Sequence, residues 1–131
     1  MFVTDTHPLV WYIDGDNSKI SDKVRGIFDN AVAAETLVYI SAAVFWEIAI
    51  LEKIGRIKLK TRFDQWAKGV LSIKGFELVP LTIDVIHRGV GYGLHSDPFD
   101  GIIVATAVEM DLPLITKDVA VSESGLVEIY W

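Results

Sequence analysis

Short, largely apolar runs recur along this chain, separated by stretches with helical periodicity. Residues 2–4, 37–40, 76–81 and 114–116 are such runs, and residues 127–131 form a fifth. A strand with one solvated face alternates apolar and polar side chains, whereas a strand covered on both faces does not. Unbroken strands alternating with helices therefore predict an α/β protein, a three-layer α/β/α sandwich around a central parallel sheet. With 131 residues the chain suits one domain, 1–131, with enough length for a core that needs no staples.

The punctuation between the runs agrees. Pro8 suits the first turn of a helix reaching about Asp14, and residues 15–18 (Gly-Asp-Asn-Ser) read as a loop. Ser21 or Ser18 can cap a helix through Val32, with Ile20, Val24, Ile27 and Phe28 on one face. Ser41 caps a helix that runs to Ile54 and stops at Gly55. Residues 60–72 read as a helix, and Thr82 caps another that ends in the glycine-rich stretch 89–93. Asp97-Pro98 opens a helix to Met110.

Glu47 is the most informative residue. At helical spacing its neighbours are Ala43, Val44, Ile50 and Leu51, and a carboxylate on an apolar face is costly to bury without a partner. Three further acids fall at the ends of elements, where open parallel sheets place their sites. Asp5 follows the first strand, Asp118 stands just past the strand ending at Thr116, and Asp100 lies in the first turn after Pro98. Each also has a structural reading: Asp5 and Asp118 as caps, Glu47 as half of a buried ion pair. Asp97 is assigned mainly to capping, with Asp100 projecting from the first turn. If the four acids converge, their repulsion calls for a cation, and an all-oxygen donor set suits Mg²⁺ or Mn²⁺. Such a site can activate water and stabilise the leaving oxygen of a phosphodiester. Thr6 and Thr116 suit hydrogen bonds to the acids or to a metal-bound water and equally suit capping and strand roles, His7 and His95 stand near the acids, and His87 reads as an ordinary helix residue.

Composition narrows the partners. Hydrophobic residues make up 51% of the chain, so another chain is expected to cover some apolar surface. Cysteine is absent, which excludes disulfides and thiolate metal sites and is compatible with the cytosol. Asp5 interrupts the apolar start, and the apolar stretch 37–51 contains Glu47 and is too short to span a bilayer. A soluble, cytoplasmic protein with no membrane partner is expected. The net charge of −6 argues against indiscriminate adhesion to nucleic acid. Lys53, Arg56, Lys58, Lys60 and Arg62 nevertheless form a basic strip, which reads either as a solvated helix end or as a phosphate-tracking surface. Trp11, Trp46 and Trp66 suit packing first and base stacking second.

Taken in order, these pieces resemble PIN-domain proteins, and among them the VapC-like toxins. Asp5-Thr6-His7-Pro8-Leu9-Val10-Trp11 resembles the family's first motif, and residues 41–50, with Glu47 in a helix, resemble the second. His95-Ser96-Asp97-Pro98-Phe99-Asp100 followed by residues 102–107 resembles the third, and Thr116-Lys117-Asp118 the fourth. The resemblance covers nearly the whole chain. It implies a PIN fold, an acidic quartet of Asp5, Glu47, Asp100 and Asp118, and Mg²⁺- or Mn²⁺-dependent RNA cleavage. It further implies a homodimer and inhibition by a small antitoxin protein. One departure stands out: the third motif usually continues with Arg, and here Gly101 follows Asp100.

Gly101 supports an alternative, a catalytically degenerate PIN-like binding module, against which the retained quartet argues. A phosphoacceptor role for Asp5 fits less well, because His7 stands where a second acid belongs and Glu47 is left unexplained.

Overall fold

The computed structural model describes residues 1–94 and 97–131. Their strands are β1 (Phe2–Thr4), β2 (Val38–Ser41), β3 (Phe76–Val79), β4 (Leu114–Ile115) and β5 (Ile129–Tyr130). The helices are α1 (Thr6–Asp14), α2 (Asp22–Val32), α3 (Ala42–Lys53), α4 (Phe63–Leu71), α5 (Ile83–Gly91), α6 (Pro98–Met110) and α7 (Val119–Ser124), and a 3-10 turn covers Asn17–Lys19. The strands form one sheet in the order β3-β2-β1-β4-β5, and every pairing is parallel. With its helices the sheet makes the expected α/β/α sandwich.

Burial follows the position of each strand. Val3, Thr4, Val38, Ile40, Leu114 and Ile115 are buried, as central strands covered on both faces require. The edge strands β3 and β5 keep exposed or half-buried residues. Phe28 of α2 is fully buried, stacked 4.8 Å from the Tyr12 ring and edge-on to Phe76. Truncating it to Ala costs about 3–5 kcal/mol.

Capping matches the sequence reading at several ends. Ser21, Ser41, Thr82 and Asp97 each accept a backbone N–H of the helix that follows. Gly55 adopts φ 76° after α3, the left-handed turn that ends a helix. Several elements differ, and β4 and β5 are shorter than the runs 114–116 and 127–131. The helix expected from Lys60 starts at Phe63, because Ile57 and Leu59 turn toward the core and hold the chain out of a helix. β3 stops at Val79, since Pro80 has no N–H to continue the ladder. α7 was not expected, and its six residues are too few to display a helical period.

α5 and α6 approach most closely at two glycines. A Cβ on Gly89 would lie 2.8 Å from the Gly101 carbonyl, and one on Gly101 would run into the Gly89 carbonyl oxygen. Gly101 is buried in that helix crossing. A side chain at position 101 would meet α5 first, so glycine here answers a packing demand between the two helices.

Candidate active site

β1 and β4 are neighbours, but the chain leaves β1 toward β2 and β4 toward β5. The crevice between their carboxyl ends is thus the switch point at which open parallel sheets bind ligands. Asp5 closes β1 and caps α1, its Oδ1 accepting the Thr6 N–H at 2.7 Å. Thr116, just past β4, donates its hydroxyl to Asp5 Oδ2 at 2.6 Å and accepts the Asp118 N–H at 3.0 Å. Asp118 caps α7, with Oδ1 accepting the Val121 N–H at 2.9 Å. Asp97 caps α6 through the Phe99 N–H at 2.9 Å, and Asp100 lies in the first turn of the same helix.

Glu47 reaches this crevice from the middle of α3. It is 7% exposed, and the hydroxyl of buried Thr6 donates to its Oε2. Thr6 therefore links the two acids, holding Asp5 through its backbone and Glu47 through its side chain. Burial pushes the Glu47 carboxyl up to about 7. The Thr6 hydrogen bond opposes that rise, and the nearby charges of Asp5, Asp97 and Asp100 add to it. Asp5 is raised as well, chiefly by burial and secondarily by Asp118, against the lowering pull of Thr116, Thr6 and His7.

The acids line a cleft of about 520 Å³. Asp5, Glu47, Asp97, Asp100 and Asp118 share it with His7, Pro8, Trp11 and Lys117. All four acids of the quartet thus face one space, and Asp97 combines its capping role with a place in the wall. His95 lies outside the described residues. Lys117 had no role in the sequence reading, although its position between Thr116 and Asp118 was a signal. Among the described residues it is the Lys or Arg that lines this cleft, and its Nζ lies 5.7 Å from the Trp131 ring centre.

The donor chemistry fits a hard divalent cation: carboxylate oxygens from several elements, no thiolate, and Asp5 and Glu47 perturbed in the direction that an added positive charge reverses. Among the described residues no three metal-binding side chains stand ready as a coordination shell.

The basic strip lies elsewhere. None of its five members lines the acidic cleft. Lys53 ends α3, and Arg62 stands 3.7 Å from Asp64. Arg56 and Lys58 line a second cleft, of about 260 Å³, together with Lys19, and Trp11 lines both clefts. Trp66 is buried and donates its Nε1–H to Asp14 Oδ1 at 2.9 Å, a packing role. Trp46 is 55% exposed and meets Phe99 edge-on at 5.2 Å.

A family model for the PIN domain matches residues 2–123. No curated protein matches the chain. Several solved structures share its fold. VapBC2 from Rickettsia felis, bound to a DNA fragment from its promoter, superposes with a TM-score of 0.69 at 13% identity, covering 98% of this chain and 96% of that one. FitAcB from Neisseria gonorrhoeae gives 0.67 at 17% identity, over 100% and 97%. A toxin–antitoxin complex from Klebsiella pneumoniae gives 0.58 at 20% identity, over 90% and 87%.

Proposed function

The chain belongs to the PIN domain family, and from that premise we propose that it is a divalent-metal-dependent endoribonuclease acting as the toxin of a toxin–antitoxin pair. The observation that carries the reading is the meeting of Asp5, Glu47, Asp100 and Asp118, from four separate segments, in one cleft at the sheet's switch point. Asp5 and Asp100 are the principal ligands for Mg²⁺ or Mn²⁺, and Glu47 and Asp118 complete the set. A cation held there supplies Lewis acidity toward a phosphodiester and offsets the charge that develops on its oxygens. Thr6 and Thr116 orient the carboxylates, and Lys117 adds a positive charge to an otherwise anionic wall.

Antitoxin recognition and homodimerisation belong to the same proposal. Three solved relatives in fold are described as VapBC2, FitAcB and a toxin–antitoxin complex. This chain exposes two apolar stripes at helical spacing, Trp46 and Ile50 on α3 with Ile54 at its C-cap, and Ile83, Ile86 and Val90 on α5. Among the described residues no helix is long and apolar enough to cross a membrane. A cytoplasmic location is part of the reading.

The binding-module alternative rests on Gly101, for which the close α5–α6 crossing offers a packing reason. Incubating a mixed RNA panel with Mn²⁺, with Mg²⁺ and with chelator, beside the Asp100→Ala protein, tests the proposal. Metal-dependent cleavage lost in the variant is expected. Equal cleavage by both proteins, or cleavage that survives chelation, refutes it.

A further inference from the structure

Arg56, Lys58 and Lys60 alternate with half-buried Ile57 and buried Leu59. The two apolar residues anchor this segment to the core, so the three cations face outward together. Its start is fixed by backbone bonds from the Arg56 and Ile57 N–H groups to the Leu51 carbonyl. Lys60 Nζ comes within 3.4 Å of where a Cβ on Gly15 would sit, which brings the segment against the end of α1. Lys19, far away in sequence, joins Arg56 and Lys58 in the second cleft. Lys19 pairs with Asp16 at 2.8 Å, whereas among the described residues Arg56 and Lys58 stand in no ion pair.

Asp14 and Asp16 also line this cleft, but Asp14 Oδ1 accepts from Trp66 and Lys19 pairs with Asp16, so Arg56 and Lys58 give it its net positive charge. A single indole separates it from the acidic cleft, since Trp11 lines both. An anionic strand reaching a wall of five carboxylates needs positive charge beside it, and the strip supplies none to the acidic cleft itself. We infer that the cleft formed by Lys19, Arg56 and Lys58 is a phosphate subsite for the single-stranded RNA whose scissile bond lies at the acids, with the strand crossing Trp11 between the two. The inference rests on the nuclease reading for the substrate class. It adds where the flanking strand runs and which cations hold it: Arg56 and Lys58, with Lys19 from outside the strip, and neither Lys53 nor Arg62. Two charges can engage consecutive backbone phosphates while an aromatic wall tolerates any base, so this subsite contributes affinity and direction rather than sequence choice.

The test uses the full chain in chelator, so that binding is read without cleavage. The probe is a fluorescein-labelled single-stranded RNA of mixed sequence and about twelve nucleotides, followed by anisotropy over a range of salt. Arg56→Ala/Lys58→Ala changes two exposed side chains, and a thermal melt checks its folding. Binding weaker by on the order of tenfold at low salt is expected, with the slope of log K against log salt shallower by about 1.4. Unchanged affinity and slope overturn the subsite. So does a wild-type protein that ignores the RNA but captures a polyglutamate peptide through the same two residues, which makes the cleft a protein-binding surface. Cleavage with Mn²⁺ is measured separately. Cleavage with unchanged binding in the double variant removes the subsite and leaves the nuclease, whereas weakened binding without cleavage by either protein keeps the subsite and removes the nuclease.

Discussion

Replacing Glu47 by Gln should stabilise the metal-free protein, and by an amount that depends on pH. Burial holds the Glu47 carboxyl at about 7 in the folded chain, against 4.5 for an ordinary glutamate. The native state therefore binds this proton more tightly than the unfolded chain does. Below the unfolded value both states are protonated and folding loses nothing. As pH rises through the window between the two values, the unfolded chain gives up its proton first and native stability falls. Above about 7 the penalty is complete, roughly 3 kcal/mol at ~1.4 kcal/mol per pKa unit. Glutamine has nearly the same shape, keeps an oxygen to accept the Thr6 hydroxyl, and carries no charge in any of these states.

The stability difference between Glu47→Gln and wild type should therefore climb from a constant baseline at about pH 4.5 to a plateau roughly 3 kcal/mol higher above about pH 7. That corresponds to a melting temperature on the order of 10 °C higher at the alkaline end for a chain of this size. Urea or thermal denaturation in chelator, on both proteins across that range, measures it. Any cost of burying the amide is independent of pH and shifts only the baseline. Titration of the remaining carboxylates largely cancels between the two proteins, and relief of the raised Asp5 acts in the same direction. A difference that stays flat through the window refutes the reasoning. Saturating Mg²⁺ or Mn²⁺ should close most of that gap, because a ligand at ~100 times its Kd adds about 2.7 kcal/mol to the protein that binds it.

Further substitutions address the rest of the molecule. Asp5→Asn should abolish metal-dependent RNA cleavage while circular dichroism and the melting curve still report a folded protein, since Asn can cap α1 in its place. Thr6→Val leaves Glu47 Oε2 without its hydroxyl donor, which should cost about 1–3 kcal/mol by urea denaturation at neutral pH. Gly101→Ala forces a methyl group against the Gly89 carbonyl and should destabilise by about 1–3 kcal/mol, despite alanine's better helix propensity. If α5 carries the dimer contact, Ile83→Glu/Val90→Glu should lower the solution mass by light scattering from dimer to monomer, with the melting curve little changed because both side chains are largely exposed.

The fold was legible wherever local chemistry and long-range packing agreed. Ser41, Thr82 and Asp97-Pro98 marked helix starts that the structure keeps, because each satisfies a backbone donor whatever packs against the helix. Residues 60–62 were misread because Lys60 onward has helical character, while burial of Leu59 just before them is decided by the core it meets. Four of the cleft's five acids were visible as chemistry and Asp97 mainly as a cap, but their connections were not. Thr116 could be tied to Asp5 only once β4 was known to lie beside β1. Lys19 joins Arg56 and Lys58 for the same kind of reason, since strand order and helix packing set that neighbourhood. Gly101 read as a missing arginine because nothing in the sequence says that α5 crosses α6 at Gly89.

Capping and catalysis, set against each other when the acids are read singly, converge in this fold. In a parallel sheet each helix that follows a strand begins at the strand's carboxyl end, so helix N-termini and the ligand crevice occupy the same side of the molecule. Asp5 and Asp118 cap α1 and α7, which follow β1 and β4, while Asp97 caps α6, which leads into β4, and all three line the cleft. Each receives a backbone N–H and the partial positive charge of its helix end, which helps a concentration of carboxylates to survive before any cation arrives. Glu47 has no such support. It sits in the interior of α3, far from that helix's N-terminus, and holds on to a hydroxyl of α1. Burial pushes its carboxyl up to about 7. A protein that needed only capped helices would have no use for a glutamate at this position. Its presence there, at a cost in stability, is what the proposed metal site explains and a set of helix caps does not.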